Sequence, residues 1–156
     1  MSGTKRVNHR GVERRKALVD AAVELWSSTG YRGTGITAVA ERAGVTPAGL
    51  LHHFGTKDHF LLAVVEELDR RTLAAFPDSA EVRGAELFDL LPELARYPQD
   101  QPALWRLILM LQAENFDAES PAYDYFVLRQ GVIHELIADA LRRGQADGEL
   151  RGDVDV

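Results

Sequence analysis

Residues 36–57 read ITAVAERAGVTPAGLLHHFGTK, and this stretch decides the fold. Its apolar spacing predicts two short helices joined by a tight turn at residues 43–45. Thr46 and Pro47 mark the start of the second helix, because a hydroxyl caps free N–H groups and proline at the first helical position loses no hydrogen bond. Such a pair is typical of a helix-turn-helix, whose second helix enters the major groove of DNA.

The two short helices also have the apolar residues of a small shared core. These residues are Ile36, Val39, Ala40, Val45, Leu50 and Phe54. Gly44 ends the first helix and, with Ala40, leaves room for the two helices to cross closely. The stretch therefore predicts one compact unit rather than two independent helices.

The rest of the chain has helical periodicity on both sides of this stretch. We predict helices over 12–29, 57–75, 82–96, 103–113 and from Ser120-Pro121 to about residue 143, with a turn between Pro98 and Pro102. The helix over 103–113 is apolar on nearly all sides, so we expect it to be central and Trp105 to be largely buried. No segment alternates apolar and polar residues as a half-buried strand does, so the fold class is all-α.

The composition limits the protein classes to which the chain can belong. Its 156 residues are 46% hydrophobic and 27% charged, as in ordinary soluble globular proteins. The absence of cysteine excludes disulfides, thiolate nucleophiles and cysteine metal sites, and fits a reducing cytoplasm. No apolar run reaches about eighteen residues, so we expect no membrane span, and residues 1–10 are too polar for a secretory signal.

The formal charge of −6 is a difference between two unlike parts. Residues 1–57 carry nine Lys and Arg against four Asp and Glu, a balance of +5. Residues 58–156 carry nine Arg against twenty Asp and Glu, a balance of −11. This asymmetry indicates a basic part that meets a polyanion and an acidic remainder that does not.

Three segments give the chain a resemblance to TetR-family transcriptional regulators: AERAGVT at 40–46, HHF at 52–54 and TKDHFLLAV at 56–64. The resemblance implies a three-helix DNA-binding domain over 1–56 and a helical ligand-binding and dimerisation domain over 57–156. It implies a homodimer in the full-length form, bound to a palindromic double-stranded DNA operator. It further implies a repressor that a small-molecule effector releases. We expect no cofactor, no metal and no membrane partner.

The resemblance also implies roles for individual residues. Those expected to bind DNA are Thr37, Thr46, Pro47, Ala48, Gly49, Leu51, His52, His53 and Lys57. Thr37 and Lys57 are expected to touch the phosphate backbone, and residues 46–49 to face the bases. The two histidine rings are expected to reach phosphate or base edges, and Leu51 a thymine methyl or a sugar edge.

Three positions depart from the family's usual pattern. Gly49 and Leu51 stand where many relatives have threonine and tyrosine, whose hydroxyls commonly bond phosphate. Gly35 stands where a hydroxyl helix cap is common. These departures affect individual contacts rather than the motif as a whole.

Two features of the basic part, the histidine pair and the N-terminal basic arm, each have a second interpretation. Adjacent residues on a helix point about 100° apart, so His52 and His53 do not chelate one metal ion as residues four apart would. The basic arm is either a solvated tail or a contact to phosphate or the minor groove. The arm consists of Lys5, Arg6, Arg10, Arg14, Arg15 and Lys16.

The second half mixes aromatic bulk with a few polar groups, as a small-molecule pocket does. The candidate ligand-binding residues are Trp105, Met110, Gln112, Phe116, Tyr123, Phe126 and Gln130. The same mixture also fits an ordinary helical core, and both interpretations stay open. The pattern does not indicate the chemistry of the effector.

The resemblance implies two long helices beyond residues 149–156, where the family builds its dimer interface. We therefore expect this chain to lack those last two helices, and to dimerise and bind its operator weakly. A rigid dimer raises avidity by roughly 10²–10⁴, because the second half-site becomes an intramolecular contact. The alternative is a dimer built on the helix that ends near residue 143.

Two other function classes fit a helical chain of this charge: a protein-interaction module and an enzyme. The sequence has no glycine-rich phosphate loop and no His-Glu-x-x-His motif, so its support for an enzyme is poor. A gel-shift assay at two salt concentrations separates these classes. We expect sequence preference and an affinity that falls steeply with salt. Weak binding that ignores both would contradict the DNA-binding interpretation.

Overall fold

The computed structural model describes residues 9–75, 82 and 84–156. Every regular element in these ranges is an α-helix, which confirms the all-α prediction. The helices are α1 (His9–Thr29), α2 (Ile36–Arg42), α3 (Pro47–Phe54), α4 (Lys57–Leu73), α5 (Glu86–Asp89), α6 (Leu91–Asp100), α7 (Pro102–Glu114) and α8 (Tyr123–Ala146). Within the described ranges, no helix is long and apolar enough to cross a bilayer. The predicted end of the fourth helix near 76–78 lies outside the described residues, as do Lys5 and Arg6.

The core is centred on the ring of Trp26 in α1. The centroid of this ring lies 5.0 Å from that of Tyr31 and 5.6 Å from that of Phe60, both in edge-on arrangements. Leu18 and Ala22 are fully buried on the same face of α1, in agreement with the helical periodicity predicted over 12–29. The aromatic cluster therefore joins α1, the loop that follows it and α4.

The same buried cluster continues into the second half of the chain. Leu107 and Leu111 of α7 and Phe126 of α8 belong to it. At the end of α7, the guanidinium of Arg32 donates to the carbonyl of Glu114 at 2.9 Å, where the helix end is partially negative. The predicted domain boundary after residue 56 lies within this continuous core and stays a prediction.

Ion pairs fasten α1 to α4 beside this core. Arg71 of α4 pairs with Asp20 of α1, and its Nε donates to Glu67 at 2.8 Å. Arg70 donates two further hydrogen bonds of 2.7 Å to Glu67. The Arg70 bonds are the main cause that lowers the pKa of Glu67 to about 2, and Arg71 acts in the same direction. Glu67 is therefore ionised at neutral pH, and the pairs persist there.

A second polar cluster ties α8 to α4. The Tyr125 hydroxyl donates to one oxygen of Asp69 at 2.7 Å, and Arg129 Nε donates to the other at 2.6 Å. Burial raises the pKa of Tyr125, and the Asp69 carboxylate adds to the shift. Because both oxygens of Asp69 have partners, its charge is compensated where α8 crosses α4.

The region after α4 differs from the prediction of one helix over 82–96. It contains a single turn, α5, and a separate helix, α6, that continues through Pro98. Pro92 fits the first turn of α6, where N–H groups have no partner within the helix, and Pro98 in the last turn removes only one hydrogen bond. Leu91 and Leu94 of the predicted helix are 53% and 47% exposed. Their periodicity is real, but nothing in the described chain covers that face.

The start of α8 also differs from the prediction. The helix begins at Tyr123, whose N–H donates to the carbonyl of Ser120 at 3.1 Å in the preceding turn. Buried Asn115 holds this loop: its amide donates to the carbonyl of Leu111 at 2.8 Å, and its oxygen accepts from the N–H of Ala122 at 3.4 Å. These bonds, rather than a Ser120 cap, set the beginning of α8.

The prediction that α7 is central and buried is confirmed for one side of the helix and wrong for the other. Leu107 is fully buried, but Leu109 is 49% exposed on the opposite side of the helix. Trp105 is only partly buried, with its ring 6.2 Å from that of Tyr97 in α6. In the described chain the fully buried tryptophan is Trp26.

We expect Trp26→Ala to lower the free energy of unfolding by about 3–5 kcal/mol, because it removes the ring that α1 and α4 share. Urea unfolding followed by circular dichroism measures this loss. Leu91→Ala is the matched control on an exposed site and should change stability by less than about 0.5 kcal/mol. Equal losses of stability in the two variants would contradict the central place of Trp26 in the core.

Candidate nucleic-acid interface

The turn between α2 and α3 is closed by backbone hydrogen bonds. The N–H of Gly44 donates to the carbonyl of Glu41 at 3.0 Å, and that of Val45 to Ala40 at 2.9 Å. Gly44 has φ of 68°, a left-handed conformation that other residues adopt only with strain. Glycine is therefore required here by the backbone, and the turn sets the angle at which α3 leaves α2.

The start of α3 confirms the predicted cap. Thr46 Oγ1 accepts a hydrogen bond from the N–H of Gly49 at 3.0 Å, and Pro47 occupies the first turn. A Cβ atom at Gly49 would lie 3.3 Å from Thr46 Oγ1, closer than an ordinary contact. The glycine therefore leaves the capping hydroxyl in place, and a larger residue would press against it.

The two sides of α3 have opposite environments. Leu50 and Phe54 are buried, and Leu51 packs against the same core from a partly buried position. Ala48 and His52 are exposed on the side that faces away from the core. Of the nine residues predicted to bind DNA, the exposed ones are Thr37, Thr46, Ala48 and His52, and the partly buried ones are Pro47, Gly49, Leu51, His53 and Lys57.

The end of α3 is fixed by contacts that the sequence reasoning missed. The guanidinium of Arg15 lies 4.3 Å from the centre of the Phe54 ring, which also meets the Phe60 ring at 4.7 Å. Gly55 has φ of 81° and turns the chain, after which Thr56 caps α4 by accepting from the N–H of His59 at 3.1 Å. The hydroxyl residue Thr56 directly before a predicted helix was the sequence signal from which this cap could have been predicted.

Lys57 is held beside the helix-turn-helix by an aromatic ring. Its Nζ lies 4.5 Å from the centre of the Tyr31 ring. Burial raises the pKa of Tyr31, and the nearby carboxylates of Asp58 and Glu114 add to the shift. The hydroxyl therefore stays protonated at neutral pH, and the ring presents an uncharged face to the ammonium group.

Charges around α1 and α2 are partly paired within the protein. Lys16 Nζ lies 2.6 Å from Asp20, and Arg42 pairs with Glu24. Arg10 and Arg14 of α1 are exposed. The part of the basic arm that the structure describes therefore belongs to helix α1. The interpretation of residues 10–16 as a solvated tail is wrong.

The candidate ligand-binding residues differ in their surroundings. Phe126 is buried in the core, Trp105 packs near Tyr97, and Phe116 is 79% exposed after α7.

None of the seven candidate ligand-binding residues lines the groove of about 600 Å³ between α4 and α8. That groove is mostly apolar and is lined by Glu66, Asp69, Arg70, Thr72, Leu73, Tyr125, Leu128, Arg129, Val132, Ile133 and Leu136. The spacing of residues 125, 129, 132, 133 and 136 on one helix face was the missed signal.

Comparisons with known proteins agree with this geometry. A family model described as bacterial regulatory proteins, tetR family, matches residues 18–64, from α1 into α4. The HTH-type transcriptional regulator UidR of Escherichia coli (strain K12) is 24% identical over 142 residues, which cover 90% of this chain and 70% of UidR. The HTH-type transcriptional repressor KstR of Mycobacterium tuberculosis is 31% identical over 142 residues, which cover 88% of this chain and 60% of KstR.

Two solved structures share the arrangement of helices. One from Rhodococcus sp., described as a TetR-family transcriptional regulator, has a TM-score of 0.69 and 28% identity, and the match covers 92% of this chain and 77% of that one. A TetR-family regulator from Marinobacter aquaeolei VT8 has a TM-score of 0.67 and 21% identity, and the match covers 91% of this chain and 73% of that one. The likeness therefore extends from the helix-turn-helix into the helical second half.

We expect Gly44→Ala to destabilise the protein by about 1–2 kcal/mol, because alanine is strained at a positive φ. Gly131→Ala is the control of opposite sign: Gly131 lies within α8, a Cβ there meets nothing within 4 Å, and alanine favours a helix by about 0.5–1 kcal/mol. Thermal unfolding of the two variants measures both effects. A Gly44→Ala variant as stable as the parent would contradict the left-handed turn.

Proposed function

Because this chain belongs to the TetR family of bacterial DNA-binding transcriptional regulators, we propose that it is a repressor that occupies an operator until a small molecule releases it. A repressor needs only to cover a promoter, which is the simplest mechanism for a protein of this fold. We infer that it acts in the cytoplasm, where bacterial DNA lies. We expect it to bind its effector without chemical turnover.

The observation that carries this function is the exposed side of α3. The helix is capped by Thr46, follows a glycine turn and is pinned to the core by Leu50 and Phe54. Its outer side begins with the small residue Ala48 and contains no lysine or arginine, so the helix can approach the floor of a major groove closely. We propose that residues 46–49 and the histidines after them meet base edges or nearby phosphates.

The lysine and arginine contacts to phosphate come from outside α3, since this helix contains neither residue. We propose that Thr37 and Lys57 touch the backbone, with Lys57 held in position by the Tyr31 ring. Arg10 and Arg14 are exposed on α1 and add to the attraction. Contacts of this kind set orientation and salt dependence but do not read sequence.

We propose that two copies bind a palindromic operator as a homodimer. Paired recognition helices read half-sites about 34–36 Å apart along the duplex, so the operator's symmetry reflects that of the protein. A dimer also makes the second half-site contact intramolecular, which raises avidity by roughly 10²–10⁴.

We propose the groove between α4 and α8 as the place where an effector acts. Its walls are mostly apolar, and Tyr125, Asp69 and Arg129 form a fixed polar group beside them. Helix α4 also carries Lys57 at its other end, so a ligand that moves α4 moves a phosphate contact. The seven candidate residues named from the sequence lie outside this groove and stay a separate prediction for the effector site.

Selection of bound sequences from random duplex DNA tests the function directly. We expect enrichment of a palindrome, and binding to it should be tighter than to scrambled DNA at both low and moderate salt. Binding that shows no enrichment, with equal affinity for all duplexes, would overturn the operator-binding role.

We expect Lys57→Ala to weaken binding to all duplexes alike and to reduce the slope of log affinity against log salt by about one unit. The reason is that Lys57 contacts phosphate, so its removal abolishes one counterion-release event. Fluorescence anisotropy at several salt concentrations measures the slope. The control is Asp58→Ala, which removes a neighbouring carboxylate and should not reduce the slope. A change in the preferred bases with Lys57→Ala would contradict a phosphate role.

A further inference from the structure

We propose that Ala48 and His52 determine which bases the recognition helix prefers, Ala48 by contact with a thymine methyl and His52 by donating to guanine. In the same proposal His53 reads no base. This inference rests on the proposed operator binding and narrows it to two side chains. It separates two adjacent histidines that the sequence alone leaves equivalent.

The separation follows from where each residue lies around α3. Each residue turns the helix by about 100°, so Ala48 and His52 both point about 160° away from buried Leu50. His53 points only about 60° away from the same buried direction. The burial agrees, because Ala48 and His52 are exposed and His53 is partly buried. Ala48 and His52 therefore form the outermost ridge of the helix.

Leu51 and Gly49 flank this ridge, and neither competes with it. Leu51 is partly buried and packs against the core cluster, so its side chain is less available to the bases than those of Ala48 and His52. Gly49 has no side chain, and its N–H is already bonded to the Thr46 hydroxyl. The ridge is therefore the part of the helix that can enter deepest into the major groove.

The chemistry of the ridge selects the base types. Ala48 offers one methyl group near the start of the helix, and thymine is the base that presents a methyl group in the major groove. His52 lies one turn later and can donate from a ring nitrogen. Guanine presents two adjacent acceptors, N7 and O6, so a single donor finds a partner there over a range of ring positions.

The ridge is fixed well enough to discriminate between bases. The Thr46 cap holds the beginning of α3, and the Arg15 and Phe60 contacts hold Phe54 at its end. A side chain on a rigid helix loses little freedom on binding, so the difference in affinity between a right and a wrong base is retained.

The test uses the whole chain and the operator obtained by selection. Affinities of the parent, His52→Ala and His53→Ala are measured on that operator and on duplexes with one base pair changed per half-site. We expect the parent to prefer guanine at one position by roughly tenfold or more, and His52→Ala to lose that preference. His53→Ala should keep it. His52→Leu, which removes the donor and favours the helix, provides a second variant if His52→Ala is poorly folded, and it should lose the preference as well.

Duplexes with modified bases test which atoms of guanine and thymine the two side chains contact. Replacing the guanine by 7-deazaguanine should weaken the parent and leave His52→Ala unaffected. Replacing the thymine by uracil removes its methyl group, and Ala48→Gly should abolish the sensitivity to that change. Retention of the guanine preference in His52→Ala, or its loss in His53→Ala, overturns this inference while leaving operator binding intact. Failure of the parent to select any sequence overturns the proposed function itself.

Discussion

The edge-on contact of the Trp26 ring with Tyr31 and Phe60 is the interaction on which the rest of the structure depends. It brings α1, the loop after it and α4 into one cluster, and α2 and α3 pack against that cluster. The recognition helix has only eight residues and would not be stable alone in water. Its position is therefore a property of the aromatic core behind it.

Helix α4 connects this core to the second half of the chain. At one end Lys57 rests on the Tyr31 ring, and near the other end Asp69 holds Tyr125 and Arg129 of α8. The helix has 17 residues and spans about 25 Å. The proposed phosphate contact at Lys57 and the proposed effector groove therefore lie at the two ends of one helix.

Attraction to DNA and choice of sequence are assigned to different residues in this protein. Within residues 9–57 the positive charges lie on α1, the loop after it, the end of α2 and the start of α4, and some of them are paired with carboxylates, such as Arg42 with Glu24. The recognition helix itself carries two histidines and otherwise apolar residues. Under the proposed function, salt-dependent attraction comes from the periphery of the interface, and discrimination between bases comes from short contacts at its centre.

The sequence by itself determined the features whose causes lie within one helical turn. The Thr46 cap, the tight turn at Gly44 and the helical periodicity of α1 were all predicted, because each depends on neighbours three or four residues away. Only the tertiary structure decided that Leu91 is exposed, that Trp105 is partly buried and that His52 points outward further than His53. It also decided the pairing of Asp69 with Arg129, which lie 60 residues apart. Periodicity reveals that a helix has an apolar side, but which partner covers that side depends on packing between distant segments.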